Sequence, residues 1–440
     1  MPSDFDAIVI GAGPAGSAAA ILLARAGWSV ALIEKQRFPR RKVCGECIAA
    51  SNLPLLADLG LGPALDACAG PELRRVALMR GRRTVVADLP AATHDKYRWG
   101  KALGRETLDT LMVEQARTAG AHVFQPWSPQ AIEGAVGAWR CKVRSIESDE
   151  TLSLHAPVVI DAHGSWEALP MGRRRLARSA SDLFAFKANF DQASLDTGLL
   201  PVLAFQGGYG GMVVAGGGLT TLACCVRRDR LDAGRRDMPG TPAGQVMEAL
   251  LRHDLAGVRD ALHGATRQGP WLATGPLEPG IRLGAEDGVF RIGNAAGEAH
   301  PIIGEGMSMA LQSAWLLCGH LLSSALRQEA PAGAWQAKVA RRYAADWRRQ
   351  FQPRLRLASA FAHAAMRPML AAPLHTMAQC WPGLLTLGAT LGGKTRYVDD
   401  LATGAVPMPT AARMLADAAA LAAPTPTASH TRRKHHAYHL

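Results

Sequence analysis

Asp6-Ala-Ile-Val-Ile-Gly-Ala-Gly-Pro-Ala-Gly16 joins a short apolar run to a glycine-rich turn. The run is β-branched and uncharged after Asp6, which is typical of a buried strand. Residues 17–26 are rich in Ala and Leu, and they predict a helix that Gly27 ends as a C-cap. Residues 29–33 predict a second buried strand, and Glu34 follows it directly. This order of strand, turn, helix and strand predicts a βαβ unit at the start of the chain.

The glycines of this turn, spaced G-x-G-x-x-G, suit a dinucleotide. Gly11 allows the tight turn, Gly13 lets the backbone approach a pyrophosphate, and Gly16 lets helix and strand pack closely. The helix N-terminus that follows supplies amide donors and partial positive charge to the phosphates. Glu34 can accept hydrogen bonds from ribose hydroxyls. Together these residues predict a site for FAD or NAD.

The composition of the whole chain is globular and its charge is positive. Of the 440 residues, 48% are apolar and 20% are charged, and the formal net charge is +12. This balance excludes a disordered scaffold, and the length predicts two or three structural units. The first ten residues lack the basic region of a secretory signal, and no segment is a convincing membrane span. We therefore expect a cytoplasmic protein.

Three later segments carry further motifs. Residues 38–46 read FPRRKVCGE, and residues 103–109 read LGRETLD at the start of an amphipathic helix. Residues 289–307 read VFRIGNAAGEAHPIIGEGM, which predicts a strand, a turn of small residues and the N-terminus of a long helix. With the first turn, and in this order, these motifs resemble those of the flavoprotein group that includes p-hydroxybenzoate-type aromatic hydroxylases, flavin-dependent halogenases and geranylgeranyl reductases.

The resemblance implies an α/β fold in which a mainly β substrate domain interrupts a Rossmann-like FAD-binding domain, with helices at the C-terminus. The implied FAD-binding domain has three parts, residues 1–72, 101–166 and 281–330. A substrate-domain hairpin (73–100) and a substrate domain (167–280) lie between them. A C-terminal helical cap (331–405) follows. The Ala-, Pro- and Thr-rich end of the chain (406–440) predicts a disordered tail.

FAD is the cofactor that the resemblance implies. In the group, an arginine at the place of Arg105 contacts FAD, and a proline at the place of Pro301 walls the flavin ring. Asn294 stands where the group has an acid that binds the ribityl chain. The predicted cofactor-binding residues are Gly11, Gly13, Pro14, Ala15, Gly16, Glu34, Lys35, Arg41, Cys44, Arg105, Gly293, Asn294, Pro301, Gly304, Gly306 and Met307.

The electron source stays open at this point. The aromatic hydroxylases carry an A-D-G segment that touches both FAD and the nicotinamide nucleotide. Residues 158–165 resemble it, with His163 in the Asp place. The alternatives are therefore NAD(P)H itself and a separate flavin reductase that acts as a partner.

The resemblance predicts an FAD-dependent oxidoreductase with three alternatives for its reaction. The first is a monooxygenase that hydroxylates a hydrophobic aromatic or polyketide- or lipid-like compound through a flavin hydroperoxide. The second is a geranylgeranyl-reductase-like enzyme that reduces isoprenoid C=C bonds, and the third is a flavoprotein that modifies a protein partner. Residues 38–46 favour the reductase, but residues 209–226 depart from its Y-x-W-x-F-P pattern, with Gly211 in the Trp place. The chain has no halogenase W-x-W-x-I-P, which disfavours halogenation.

His300 and Cys44 are the candidate catalytic residues. His300 suits proton transfer near neutral pH, although a histidine hydrogen-bonded in a turn fits the pattern equally well. Cys44 and Cys47 form a C-x-x-C, which beside a flavin suits a dithiol relay. The group's motif already explains Cys44 alone. No second C-x-x-C is present, and no metal site is predicted.

The C-terminal part is helical in pattern and basic. Residues 335–356 place Trp347, Phe351 and Leu355 between arginines, and Pro353 is expected to break or kink the helix. A cap over the cavity mouth is the simpler interpretation, and a peripheral membrane contact is the alternative. The basic residues are dispersed and no recognised nucleic-acid-binding motif is present, so no nucleic-acid partner is expected. A small hydrophobic substrate is the predicted partner.

Overall fold

The structure of the chain is a computed structural model, and it describes residues 3–165, 178–283, 287–323 and 334–398. Its strands, in chain order, are β1 (Ala7–Ile10), β2 (Val30–Ile33), β3 (Cys47–Ile48), β4 (Arg75–Arg80), β5 (Arg83–Asp88), β6 (Lys101–Ala102), β7 (His122–Phe124), β8 (Trp127–Ala135), β9 (Ala138–Ser145), β10 (Thr151–Ala156), β11 (Val158–Asp161), β12 (Leu183–Asp191), β13 (Leu199–Phe205), β14 (Gly208–Val214), β15 (Thr220–Arg227), β16 (Thr266–Leu277), β17 (Gly280–Ile281), β18 (Phe290–Arg291) and β19 (Gly297–Glu298). Its helices are α1 (Pro14–Arg25), α2 (Leu53–Leu56), α3 (Gly62–Cys68), α4 (Arg105–Thr118), α5 (Arg228–Asp237), α6 (Ala243–Asp254), α7 (Ala256–Ala261), α8 (Gly306–Leu322), α9 (Trp335–Met366), α10 (Pro368–Cys380) and α11 (Gly383–Leu391).

A parallel sheet in the order β18-β11-β1-β2-β7 lies at the centre of the first part of the fold. Its strands are apolar throughout because both faces of the sheet are covered. Ala7 and Val9 of β1 pack among residues of α1 and α8. Ile8 and Ile10 point the other way and pack against the antiparallel sheet β10-β9-β8, where Trp139 is buried. This is the βαβ unit that the first motif predicts.

A second, seven-stranded sheet has the order β16-β12-β15-β14-β13-β4-β5. Its neighbours are antiparallel except β13 and β4, which pair in parallel. On one face, Phe186 packs with Met247 and Leu251 of α6. On the other face, Tyr209 packs near Ala362 of α9. The C-terminal helices and the cofactor domain therefore meet this second face.

Helix α9 runs through Pro353 as one element of 32 residues. Of the two expected outcomes at this proline, a break or a kink, the break is wrong, because the helix continues through it. Trp347 and Phe351 belong to a buried row that repeats every four residues (Val339, Tyr343, Trp347, Phe351 and Leu355). Pro353 lies on the exposed side, where water can satisfy the carbonyl that it leaves without an amide partner. Packing of the buried row outweighs the cost of the proline.

The predicted α/β class is confirmed. The predicted hairpin (73–100) contains β4 and β5, and the predicted substrate domain (167–280) contains β12 to β16 together with helices α5 to α7. The predicted tail (406–440) lies outside the described residues. Within the part that the structure describes, no helix is long and apolar enough to cross a bilayer.

Candidate active site

One cavity of about 660 Å³ runs between the parallel sheet, the seven-stranded sheet and the C-terminal helices. At one end it is lined by the turn after β1, by residues 42–47 and by the N-terminus of α8. At the other end it is lined by apolar side chains of the second sheet and of α9, α10 and α11. The carboxyl ends of parallel strands and the start of a helix meet at the first end, which is where α/β folds bind nucleotides.

The three glycines of the first turn meet different surroundings. A Cβ on Gly16 would lie 1.8 Å from the Gly11 carbonyl oxygen, and one on Gly11 would lie 2.6 Å from the Ala162 carbonyl oxygen. Gly11 also has a φ of +99°. Gly13 has an ordinary φ of −72°, and its Cβ would meet only Arg105 Nη2, at 3.6 Å. Gly11 and Gly16 are therefore required by packing, whereas Gly13 keeps open space beside the N-terminus of α1.

Glu34 lies at the end of β2 and is buried. Its Oε2 accepts the amide proton of Ala12 at 3.0 Å, and its Oε1 accepts that of Gln36 at 2.9 Å. Arg40 lies between Glu34 and Asp109, with Nη2 at 3.5 Å from a carboxylate oxygen of each. This acid therefore orders the glycine-rich turn, but it does not line the cavity, and its contact with a ribose stays a prediction.

Lys42 and Arg105 place positive charge at the cavity wall beside Gly13. Arg105 donates to Asp109 through Nε at 2.7 Å and Nη2 at 2.8 Å. No hydrogen bond or ion pair joins Lys42 to another described residue, and Arg40 Nε is buried without a partner in that same part of the chain. Burial, together with Arg105 and Arg40, lowers the pKa of Lys42 to about 8. These residues fit a bound diphosphate, because an anion there would relieve the crowding of cations.

Two other basic residues that the sequence predicts to bind the cofactor, Arg41 and Lys35, lie away from the cavity. Arg41 Nη1 donates to the Gln268 carbonyl oxygen at 3.0 Å, and its Nε lies 3.4 Å from Glu106. Lys35, which follows Glu34, is half-buried. Neither of the two lines the cavity within the described residues.

The third motif forms the middle of the cavity wall. Asn294 Nδ2 donates to Ser165 Oγ at 2.7 Å, and this hydroxyl donates to Glu298 at 2.9 Å. Gly304 has a φ of +64°, and α8 begins two residues later, at Gly306. The cavity is lined here by Gly293, Asn294, Pro301, Gly304, Gly306 and Met307, all predicted from sequence to bind the cofactor.

Two cations of the C-terminal region lie close to the residues that precede α8. Lys394 lines the cavity, and its Nζ lies 3.5 Å from the Gly304 carbonyl oxygen. Arg354 is buried and donates to Glu305 at 3.2 Å. No motif marks either residue, so sequence reasoning missed both. Lys394 therefore adds positive charge to the cavity wall, whereas Arg354 lies behind the wall and its charge is paired with that of Glu305.

Cys44 faces the cavity from a loop that a buried ion pair holds in place. Its Sγ accepts the Glu46 amide proton at 3.3 Å. Glu46 has a φ of +59°, a conformation that a non-glycine residue keeps only when its surroundings enforce it. Its carboxylate forms an ion pair with Lys187 of β12 and accepts the Thr221 hydroxyl at 2.5 Å. The second sheet therefore fixes the Cys44 loop, through residues that the sequence did not single out.

The other candidate acid–base and thiol groups are less accessible than Cys44. His300 does not line the cavity, but its Nδ1 lies 3.1 Å from the hydroxyl of Tyr209, which does. Burial and the nearby His363 lower the pKa of His300 to about 4, so its ring is neutral at neutral pH. Cys47 is buried in β3, and burial raises the pKa of its thiol. The Cys44 thiol is thus the more accessible member of the C-x-x-C.

Comparison with known proteins agrees with this geometry. Residues 4–196 match the family of FAD binding domains. The chain is 28% identical over 356 residues to a menaquinone reductase of Mycobacterium tuberculosis, covering 77% of this chain and 80% of that one. It is 26% identical over 367 residues to a digeranylgeranylglycerophospholipid reductase of Methanopyrus kandleri, covering 79% and 83% of the two chains.

A solved structure shows the same fold at lower identity. A myxobacterial chondrochloren halogenase superposes with a TM-score of 0.69 at 20% identity, covering 91% of this chain and 96% of that one. The family match confirms FAD as the cofactor, and together with this likeness it confirms the predicted FAD-binding fold.

Proposed function

We propose that this chain, an FAD-dependent oxidoreductase of the group that holds flavin halogenases, monooxygenases and geranylgeranyl-reductase-like proteins, is a reductase of carbon–carbon double bonds in a long isoprenoid-like chain. The monooxygenase, which is the first of the three alternatives from the sequence, is the competing reaction. The observation that favours the reductase is the shape and lining of the cavity.

The substrate part of the cavity is long and apolar. Gly211, which stands where the reductase pattern has a Trp, lines the cavity on the second sheet without a side chain. Beyond it, apolar side chains continue along the cavity to its opening at the C-terminal helices, among them Leu200, Leu357, Phe361, Leu374 and Leu384. A flexible hydrocarbon chain buries its surface well in such a site, whereas a single aromatic ring needs only a short pocket.

The curated relatives also support a reductase. One is named for reduction of a menaquinone and the other for reduction of a digeranylgeranyl phospholipid. Each is covered over four fifths of its length or more. The resemblance of residues 38–46 to the cysteine segment of geranylgeranyl reductases points the same way.

The residues of the chain have separable roles in this reaction. Bound FAD, once reduced, supplies a hydride. The N-terminus of α1, Lys42 and Arg105 hold the diphosphate, and the apolar wall excludes water from the reacting double bond. Addition across C=C also needs a proton, and we assign its delivery to the Cys44 thiol. The Glu46 amide, which donates to Sγ, then stabilises the thiolate until solvent restores the proton.

Product mass tests this proposal. Reduced holoenzyme, incubated without oxygen with a menaquinone or a digeranylgeranyl lipid, should yield a product whose isoprenoid chain has gained two hydrogen atoms. Fragment masses locate them on the chain, because two hydrogen atoms gained on a quinone ring give only the quinol. Cys44→Ser should slow this reaction by about 100-fold or more, in the range typical of acid–base groups, while FAD content stays at the wild-type level. Cys68→Ser, at an exposed cysteine, is the matched control and should leave the rate unchanged.

The opposite result would support the monooxygenase. A product that gains one oxygen atom in air, with no hydrogenated product under argon, contradicts the proposal. Tight FAD binding with no turnover of either lipid, but modification of a protein partner, would favour the third alternative.

A further inference from the structure

We propose that α10 and α11 form a docking surface for a bilayer of anionic phospholipid, from which the substrate enters the cavity. The choice of a lipid substrate rests on the proposed function. The docking itself rests on three observations about the surface around the cavity opening.

The first observation is the concentration of exposed apolar side chains. Among the described residues, seven of the eleven large exposed apolar side chains lie within residues 369–391. Met369 is 89% exposed and Trp381 is 64% exposed. We call these seven residues the mouth patch: Met369, Leu370, Leu374, Met377, Trp381, Leu387 and Leu391. Contiguous patches of this kind mark interaction sites, because isolated apolar residues on a surface are usually scattered.

The second observation is that the mouth patch continues into the cavity. Leu374, Met377, Leu387 and Leu391 are exposed to solvent and also line the cavity. A hydrocarbon chain can therefore pass from the patch to the inner cavity along an apolar path. With the patch inserted in a bilayer, that passage needs no exposure of the chain to water.

The third observation is the charge around the patch. Residues 347–398 contain no Asp or Glu and seven Lys or Arg residues. Arg367 is exposed at the start of α10. The exposed turn between β4 and β5 adds Arg82 and Arg83, and Arg83 Nη1 donates to Gln379 of α10 at 3.2 Å. Apolar side chains flanked by cations are typical of helices that lie in the interface of anionic membranes.

A bilayer suits this surface better than a protein partner. A protein seated on the patch, or a second copy of the chain, would close the opening through which the substrate must pass. A bilayer covers the same side chains and also supplies the substrate. We therefore do not assign the membrane contact to residues 341–356, because Trp347 and Phe351 are buried there and Arg354 pairs with Glu305.

Vesicle sedimentation tests the proposal. Full-length holoenzyme is mixed with vesicles of phosphatidylcholine alone or of phosphatidylcholine with phosphatidylglycerol, and flavin absorbance measures the bound fraction. Binding should require phosphatidylglycerol and fall with added salt. The double variant Met369→Asp/Trp381→Asp should bind at least about tenfold more weakly, because two apolar anchors are lost and two repulsive charges are gained. Neither residue lines the cavity within the described chain.

The matched control is Val136→Asp/Ile146→Asp, which changes two exposed apolar residues at β8–β9 and after β9. It should bind vesicles like the wild type. The proposal is overturned if the wild type binds no vesicles, if the Met369/Trp381 variant binds as well as the control, or if that variant instead splits an oligomer in light scattering. Turnover of detergent-dispersed substrate separates the two proposals: vesicle binding without turnover would overturn only the proposed function.

Discussion

At the scale of single residues, Gly13 and its neighbours separate what the fold needs from what the cofactor needs. Gly11 and Gly16 have no room for a side chain in the protein itself, whereas Gly13 has room and faces the cavity. A substitution at Gly13 should therefore affect FAD without unfolding the chain.

Gly13→Val tests this distinction. Its φ of −72° is ordinary, so the variant should fold, but the added methyl groups should project into the diphosphate position. We expect FAD content after purification to fall by about tenfold or more, with an unchanged circular dichroism spectrum. Gly383→Val is the control, because Gly383 also has an ordinary φ and nothing near its Cβ. Normal FAD retention by Gly13→Val would refute the assignment.

Lys42 gives a prediction about pH. Its pKa of about 8 lies below the ordinary 10.5, so the ligand-free protein favours the neutral amine and gains stability as the pH rises from about 8 toward 10.5. FAD binding favours the charged amine, so its affinity should weaken as the pH rises from 7 to about 9. Titration of the apoprotein with FAD measures this slope. Lys42→Met should abolish it and Lys142→Met, at an exposed lysine, should keep it; an equal slope in all three proteins would contradict the account.

The residues that sequence could identify are those inside local motifs. The glycine turn, Arg105 and the segment around Gly304 were predicted from short patterns, and they line the cavity or support it. The sequence does not show which cation of residues 40–42 faces the cavity, because the contacts of Arg41 with β16 and α4 decide this. Lys187 and Lys394 were missed since only tertiary packing brings them to the site.

At the scale of elements, α9 shows packing that overrides a local signal. Periodicity predicts a helix for residues 335–356, and the proline predicts its interruption. The buried row on α9 packs with α8, whose N-terminus lies at the cavity, so α9 supports the cofactor end from behind. The sequence shows the spacing of this row, but it does not show the surface of α8 against which the row packs.

Trp347→Ala should measure that support. Trp347 is fully buried, and the centroid of its ring lies 5.2 Å from that of Phe351, with the two ring planes tilted by 60°. Removing it should lower the free energy of unfolding by about 3–5 kcal/mol, as for other buried aromatics replaced by Ala. Urea denaturation followed by fluorescence of the remaining tryptophans reports this change. The neighbouring exposed Arg348→Ala should stay within about 0.5 kcal/mol of the wild type, and an equally small effect at Trp347 would contradict the packing.

At the scale of the whole molecule, part of the positive charge behind the net +12 lies at the glycine-rich end of the cavity and part lies around the cavity opening. The FAD-binding fold could be predicted because its motifs are continuous in sequence. The cavity could not, because its wall combines β4, the strands β12 to β15 and three C-terminal helices that lie far apart in the chain. The apolar lining of this cavity is what favours a long hydrocarbon substrate in our proposal.

The return of oxidised-flavin absorbance without oxygen tests the proposed reaction most directly. Reduced holoenzyme is mixed under argon with a digeranylgeranyl lipid dispersed in detergent. We predict that the oxidised spectrum returns, with one flavin reoxidised for each double bond saturated. If the spectrum stays that of the reduced flavin until oxygen is admitted, and the lipid then gains an oxygen atom, the reductase account is contradicted.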